Sequence, residues 1–450
     1  MKMRAAVIGV LVLLAMAGCS SGGDEATNTP LPPSAQGSYQ VVAWNDLGMH
    51  CLNPSYDTAV ILPPYNTVWA QVIKRGNPPQ VITSGVTVSY RIVNNTTSQG
   101  KGLFSQFWQY AQTLFGAQPA LDKGLNLDDP GVSNGLSGTM LAKADHFVVS
   151  GIPVVPYNDG SSTRNPYQTA EITVTDGNGT VLAKTLTTVP TSEEINCGKC
   201  HAPGGSQTQV FNDILAKHDA SHHTNLLNQK PVLCAKCHGS PALGAMTAGS
   251  SGLFLSQAIH GFHAGLGTQP ACYDCHPGQS TQCNRSAAHT AADGGCTNCH
   301  GTLANVASSV GSGRVPWVSE PKCVTCHNVN ASGTTGTTAI PQVDTGTALY
   351  RNSKGHGGVY CAGCHGSPHA MFPVSTASAD KTGQNYPAQY QPKSMTLGDC
   401  RNCHSNSRGG GTNFAGEHAS RTSACNICHT GFQNASNTAN FPHGFQWKRR

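Results

Sequence analysis

The stretch C-A-K-C-H-G-S-P at residues 234–241 decides how this chain is built, and C-A-G-C-H-G-S-P at residues 361–368 nearly repeats it. Both contain Cys-x-x-Cys-His, a pattern that occurs eight times and takes up 16 of the 19 cysteines. We number the motifs 1 to 8 in chain order: Cys197-Cys200-His201, Cys234-Cys237-His238, Cys272-Cys275-His276, Cys296-Cys299-His300, Cys323-Cys326-His327, Cys361-Cys364-His365, Cys400-Cys403-His404 and Cys425-Cys428-His429.

This spacing is typical of c-type haem attachment. Two thiols one short turn apart form thioethers with the two vinyl groups of haem, and the adjacent imidazole becomes the proximal ligand of the iron. A single motif would also be compatible with half of a zinc site or with a redox dithiol. Zinc sites do not require His directly after the second Cys of every pair. Eight motifs that all end in His therefore predict eight haems c.

The composition excludes several classes of protein. Charged residues make up 11% of the 450 residues, less than half the share usual in soluble globular proteins. The net charge of +5 is too diffuse over this length to indicate nucleic-acid binding. So many cysteines indicate disulfides, metal sites or covalent cofactors rather than an ordinary reduced cytosolic enzyme.

The first residues predict export from the cytoplasm. Lys2 and Arg4 precede an apolar stretch at residues 5–17, which is typical of a signal peptide and too short to span a bilayer. Residues 16–19, M-A-G-C, resemble the bacterial lipobox, which predicts a signal peptide at 1–18, lipidation of Cys19 and an outer-membrane lipoprotein exposed at the cell surface. Cleavage after Ala17 is the alternative and would give a secreted or periplasmic chain. Residues 19–37 are polar, rich in Gly, Pro, Ser and Thr, and suit a flexible tether.

With its eight motifs and Cys19, the chain resembles the multihaem c-type cytochromes, specifically the octahaem outer-surface lipoproteins of metal-respiring bacteria. The resemblance covers the chain from Cys197 to its C-terminus. It implies a protein that carries electrons between periplasmic donors and acceptors outside the cell.

The spacing of the motifs indicates a duplication. Successive first cysteines are 37, 38, 24, 27, 38, 39 and 25 residues apart, so motifs 1–4 map onto motifs 5–8 at offsets of 126 to 129. Two tandem tetrahaem modules, at residues 191–310 and 311–450, account for this pattern. An irregular string of haems without duplication is the alternative. We expect the haem region to consist mostly of irregular structure and short helices.

Histidines outside the motifs distinguish a carrier from an enzyme, because a catalytic haem leaves its second axial position open. Ten such histidines lie in the haem region and are candidate distal ligands: His218, His222, His223, His260, His263 and His289 in the first half, and His356, His369, His418 and His443 in the second. They outnumber the haems, which favours bis-His electron carriers. His260 and His263 share a helical face and are able to serve two different haems. The spacing leaves open which histidine serves which haem.

Residues 38–190 contain no motif and predict a β-sandwich-like domain. The predicted strands are Tyr39–Trp44, Val68–Ile73, Val86–Val93, Ala170–Thr175 and Val181–Leu186. Residues 176–179, D-G-N-G, predict a hairpin between the last two strands. A helix is expected at Leu103–Phe115. The role of this domain as scaffold, haem cover or partner contact remains open.

Two cysteines remain after the motifs and Cys19, namely Cys51 and Cys283. An even remainder in an oxidising compartment predicts a disulfide between them, which would pin the β-rich domain to the first tetrahaem half. Two unrelated thiols are the alternative.

These patterns favour a carrier that moves electrons along eight haems to metal oxides, soluble redox shuttles or other c-type cytochromes, without catalytic residues of its own. One alternative is an octahaem oxidoreductase of nitrogen or sulfur oxyanions with one open haem. Another is a subunit that assembles with copies of itself into a haem-lined conductive filament, in which His50, His146 or His443 would be a donor between subunits.

Overall fold

A computed structural model describes residues 37–76, 78–277, 281, 295–321, 349–354, 358–365, 369 and 403, and at 364 and 365 it describes the backbone only. Twelve strands lie in this part of the chain: β1 (Tyr39–Asn45), β2 (His50–Cys51), β3 (Ala59–Val60), β4 (Thr67–Lys74), β5 (Gln80–Ile82), β6 (Thr87–Ile92), β7 (Ser137–Thr139), β8 (Leu141–Ala142), β9 (Phe147–Ser150), β10 (Tyr167–Thr175), β11 (Val181–Ser192) and β12 (Val232–Leu233). The α-helices of the same part are α1 (Ser105–Phe115), α2 (Gln207–His222), α3 (Leu255–Ala264), α4 (Cys296–His300), α5 (Leu303–Ser308) and α6 (Cys361–His365).

Two five-stranded sheets form the N-terminal region. The first has the order β1-β4-β9-β8, with β5 also paired to β4, and the second has the order β2-β11-β10-β6-β7. Apolar side chains alternate along the central strands, as a sheet with one buried face requires. In the first sheet they include Val68, Ala70 and Val72, and in the second Ile172 and Val174. These side chains meet in one shared core, so the predicted β-rich N-terminal region is confirmed.

The hairpin between β10 and β11 shows how local sequence sets this register. The Asp176 carboxylate accepts hydrogen bonds from the amides of Asn178 at 2.9 Å and Thr180 at 2.8 Å. Gly179 takes the left-handed conformation at φ 82°, which glycine adopts without steric cost. Beyond the turn, β10 and β11 pair antiparallel from Thr175 to Tyr167.

The predicted helix at Leu103–Phe115 is α1, which begins two residues later. Its buried residues Phe107, Trp108, Ala111 and Leu114 recur at helical spacing. Gly116, at φ 73°, ends the helix and donates its amide to the carbonyl of Gln112. The buried face packs into a second core with residues that include Leu233 of β12.

Strand pairing continues beyond residue 190, the predicted end of the β-rich domain. β11 extends to Ser192, where it pairs in parallel with β2. β12, directly before motif 2, pairs in parallel with β3. The β-rich region therefore holds the chain on both sides of motif 1.

Several strands escaped sequence prediction because they are too short for a periodic pattern. β2, β3, β8 and β12 have two residues each, and β7 is exposed throughout. None of the helices in the described part of the chain is long and apolar enough to cross a membrane.

Candidate haem centres

Each motif whose turn is described folds as one short helical turn. Motifs 1, 2 and 3 begin 3₁₀ helices, whereas motifs 4 and 6 coincide with α4 and α6. In motif 1, the amides of Cys200 and His201 both donate to the carbonyl of Cys197, at 3.2 and 2.9 Å. Motifs 2 and 3 repeat these two bonds. The spacing thus places two thiols and an imidazole on one turn, as attachment of haem through both thiols requires.

Four motif histidines face a second histidine across a gap. The ring centres lie 6.5 Å apart for His201 and His263, 6.3 Å for His238 and His218, 6.0 Å for His276 and His260, and 6.0 Å for His300 and His369. A metal ion bound at about 2 Å to a nitrogen of each ring requires ring centres about 6 Å apart. The four pairs therefore have the separation that one iron between two imidazoles needs.

The ring nitrogens nearest the backbone are engaged in most of these histidines. The Nδ1 atom of His201 lies 2.9 Å from the Asp213 carboxylate, and that of His238 lies 2.8 Å from the Ser251 hydroxyl. Among the facing histidines, Nδ1 contacts Thr224 Oγ1 for His218, the Ser256 carbonyl for His260 and the Ile259 carbonyl for His263. A ligating imidazole commonly donates its other ring N–H in this way, which fixes the ring and leaves Nε2 for the metal.

Helix α3 supplies two of the facing histidines. His260 and His263 are three residues apart and lie against His276 of motif 3 and His201 of motif 1. Each accepting carbonyl lies four residues earlier in the same helix, so the helix itself orients both rings. The i, i+3 spacing thus brings one helical face against two different motifs.

Loss of hydration favours the neutral form of these imidazoles. Desolvation, followed by the neighbouring histidines, lowers the pKa of His276 and of His369 to about 4. Desolvation also lowers the pKa of His218, His260 and His300. A neutral imidazole keeps the lone pair that binds a metal. Burial raises the pKa of Cys197 and of Cys234 to about 11, so both remain thiols near neutral pH.

The motifs touch one another. Lys199 and Asp274, each inside a motif, form an ion pair between motifs 1 and 3. The thiols of Cys272 and Cys296 lie close to each other, because Cys272 helps to raise the pKa of Cys296, and this brings motifs 3 and 4 together. These contacts place three candidate haem sites side by side.

The haem region has little apolar core of its own. Among its described residues between 197 and 321, the buried apolar side chains other than proline are Val210, Phe211, Leu215, Leu233 and Leu255. Around α3, Leu253, Phe262 and Leu266 are instead 39%, 53% and 43% exposed. Large apolar side chains exposed together indicate a binding surface. A bulky apolar cofactor held beside this helix would cover them, so the residues present fit haem.

Other candidate ligands lie elsewhere. His222 packs on His218 with ring centres 4.8 Å apart, and His223 caps α2 in the left-handed conformation at φ 53°. Both occupy the exposed end of that helix. His289, His356, His418 and His443 lie outside the described residues, as do motif 5, motif 8, Cys19, Cys283 and all of motif 7 except Cys403.

His50 and His146 serve the β-rich region. The buried His50 ring binds Asp46 through Nε2 at 2.9 Å, so the nitrogen that usually ligates iron is engaged. His146 stacks on Trp69 with ring centres 4.2 Å apart, and its Nδ1 contacts Asp145 at 2.8 Å. Packing and hydrogen bonding account for both residues.

Sequence reasoning missed the residues that dock motif 6 on the first sheet. The Gln71 side chain accepts a hydrogen bond from the Tyr360 amide at 2.9 Å and donates to the Gly358 carbonyl at 3.2 Å. Tyr360 packs between Trp44 and Trp69, with both ring centres 5.5 Å away. No local pattern marks a buried glutamine of a strand as the partner of a segment almost 290 residues away.

The duplicated motifs use the β-rich region differently. At the second variable position of the motif, Lys236 of motif 2 donates to the carbonyl of Thr113 near the end of α1 at 2.9 Å. Motif 6 has Gly363 at the same position, where a β-carbon would lie 3.3 Å from the Trp44 ring. Lys236 therefore connects motif 2 to α1, whereas the missing side chain of Gly363 allows the turn of motif 6 to pack directly on β1.

In the described part of the chain, no group of three or more His, Cys, Asp or Glu side chains is arranged to hold a bare metal ion. Comparison of the chain with protein-family models, with curated proteins and with solved structures finds no match.

Proposed function

We propose that this chain is an octahaem c-type cytochrome that carries electrons along a row of bis-His haems at the cell exterior. The observation that supports this best is the pairing of four motif histidines with four others at 6.0 to 6.5 Å between ring centres. Four pairs of unrelated surface histidines would not be expected to share this separation. Histidine on both sides of an iron leaves no open position for substrate, which suits a carrier.

Each residue type has a distinct role in this proposal. The two cysteines of a motif hold haem covalently, its histidine is the proximal ligand, and the facing histidine is the distal ligand. When bound, haem supplies an iron that changes between two oxidation states by one electron. Groups such as Asp213 and Ser251 hold the imidazole rings in place and raise their basicity.

The β-rich region acts as the scaffold of the haem row. β11 leads into motif 1, β12 beside β3 leads into motif 2, and Gln71 with Trp44 holds motif 6. The amide of Gly76 also donates to the carbonyl of Cys403 of motif 7 at 3.2 Å. Contacts to four motifs support a scaffold rather than a detached partner-binding module.

The site of action is proposed from residues 1–19 alone. We expect lipidation at Cys19 and exposure at the outer surface, where other c-type cytochromes, soluble redox shuttles or metal oxides would accept electrons. Metabolic labelling with a radioactive fatty acid tests this, with Cys19→Ala as the matched control. Label on the wild-type chain and none on the variant supports the anchor, whereas an unlabelled chain that starts at Gly18 supports ordinary cleavage.

The haem count and the spin state test the function itself. The chain is expressed in cells with the haem-attachment machinery, and intact mass with electron paramagnetic resonance (EPR) is recorded on the oxidised protein. We expect eight haems per chain and low-spin signals for the four described pairs. Zinc without haem would overturn the proposal. A high-spin haem that reacts with nitrite or sulfite would instead favour the oxidoreductase.

A further inference from the structure

His369 belongs by sequence to the second half of the haem region, but it lies against a histidine of the first half. Its ring centre is 6.0 Å from that of His300 of motif 4, and the two ring planes are 23° apart. The neighbouring pair of His260 and His276 has the same separation and a similar angle of 15°. His369 therefore occupies the position toward motif 4 that His260 occupies toward motif 3.

The β-rich region holds His369 in this place. The backbone carbonyl of Leu47 lies close enough to this ring to raise the pKa of the imidazole, against the larger lowering by desolvation. That carbonyl belongs to a tight turn, in which Asn45 Oδ1 accepts from the amides of Leu47 at 3.2 Å and Gly48 at 2.6 Å. The buried Asn45 amide group donates in turn to the Thr67 carbonyl at 2.8 Å. A carbonyl acceptor fixed by the fold is the usual outer partner of a metal-bound histidine.

The same region delivers the segment that carries His369. Motif 6 ends at residue 365, four residues earlier, and it is docked on the first sheet through Gln71 and Tyr360. Lys354, upstream of the motif, pairs with Asp145 in the connection between β8 and β9 of that sheet. The chain therefore leaves a fixed point before it reaches His369.

We propose that His369 is the distal ligand of the haem attached at Cys296 and Cys299, so that the two tetrahaem halves are joined through one iron. This inference rests on the proposed function, because it requires haem at motif 4. It also reduces the number of histidines in the second half that are left as distal ligands for motifs 5 to 8. His356, His418 and His443 then remain in the second half for four motifs. At least one downstream iron must take its distal ligand from another part of the chain or lack a distal histidine.

The variant His369→Gly in the full-length holoprotein tests the proposal. We expect eight attached haems and one haem equivalent of high-spin iron more than in wild type, which added imidazole converts back to low spin. Gln109→Leu, at an exposed position of α1, is the control, because Gln109 is not a candidate ligand. It should leave the spin states unchanged. A His369→Gly spectrum identical to wild type would overturn the inference.

The same substitution in a variant that lacks the motif 4 haem identifies which haem His369 ligates. In Cys296→Ala/Cys299→Ala, which lacks the motif 4 haem, adding His369→Gly should cause no further gain of high-spin iron. A further gain would show that His369 ligates a different haem and would overturn the assignment. If the background does not accumulate, a crystal structure of the wild-type holoprotein decides, because it shows the distal ligand at Cys296 and Cys299 directly. Absence of haem from the wild-type chain would instead be a failure of the proposed function.

Discussion

The Ser192 hydroxyl lies 2.9 Å from the hydroxyl of Thr281, which joins the last residue of β11 to the segment that precedes Cys283. Ser192 is also the register partner of Cys51 in β2. Two further bonds hold Thr281 there. Its amide donates to Glu194 at 2.8 Å, and its carbonyl accepts from the Tyr167 hydroxyl. Residue 281 is thus fixed beside the strand pair that contains Cys51.

From this relationship we predict a disulfide between Cys51 and Cys283. Cys283 follows Thr281 by two positions and lies outside the described residues. Non-reducing peptide mapping should recover one linked pair that contains both cysteines. Cys51→Ser should lower the free energy of unfolding by about 2–4 kcal/mol, because the bond closes a long loop of the unfolded chain.

Reduced wild-type protein is the control and should unfold at the same denaturant concentration as Cys51→Ser. Recovery of both thiols free would contradict the prediction. In that case Cys51 would be an unreactive thiol, because burial raises its pKa to about 12 and leaves almost no thiolate at neutral pH.

A second prediction concerns Gln71, whose side chain is fully buried between the first sheet and motif 6. Gln71→Leu keeps the volume but leaves the amide of Tyr360 and the carbonyls of Gly358 and Asp145 without this partner. Loss of buried hydrogen bonds should cost about 2–4 kcal/mol. We expect faster amide hydrogen exchange at residues 358–363 and a lower denaturation midpoint.

Gln109→Leu is the matched control, because Gln109 lies on the exposed face of α1. The control should change stability by less than about 0.5 kcal/mol. Equal exchange at residues 358–363 in Gln71→Leu and wild type would show that motif 6 does not depend on this glutamine.

The sequence predicted those elements whose structure depends on residues close together in the chain. The alternation of β10, the helical stripe of α1 and the turn at each of the five described motifs depend on residues within one element. The spacing of His260 and His263 likewise predicted a shared helical face, and that face lies against two motifs. Contacts between segments far apart in the chain have no corresponding pattern in the local sequence. His369 faces a motif of the other half, and Gln71 binds a segment far along the chain, because tertiary packing places them together.

A third prediction distinguishes the two histidines of α3 by spectroscopy. The ring planes of His263 and His201 are 78° apart, whereas those of His260 and His276 are 15° apart. The relative orientation of axial imidazoles sets the splitting of the iron orbitals, so near-perpendicular and near-parallel pairs give different low-spin EPR signals. His263→Gly should remove a highly anisotropic signal, and His260→Gly should remove a rhombic one.

Each of these variants should gain one haem equivalent of high-spin iron, and the double variant should gain two. Ser256→Ala is a suitable control, because the His260 ring also bonds the backbone carbonyl of residue 256, which this change retains. Loss of the same signal in both single variants would contradict the assignment to two different haems.

A fourth prediction concerns the reduction potential of the haem at motif 1. Asp213 accepts from the Nδ1–H of His201, and contact with Lys217, then His201, lowers the pKa of its carboxyl group. The group is therefore a carboxylate at neutral pH, and it makes His201 a stronger donor to ferric iron. Asp213→Asn removes this charge and should raise one of the eight reduction potentials, as measured by spectroelectrochemistry of the holoprotein.

Lys217→Met provides the matched control, because it removes the other partner of Asp213 and keeps the carboxylate. Without the lysine, more of the negative charge acts on His201, so the same potential should fall or stay unchanged. A rise in both variants would indicate a general loosening around motif 1 rather than an effect of the carboxylate. An Asp213→Asn protein with all eight potentials unchanged would show that Asp213 has no influence on the iron through His201.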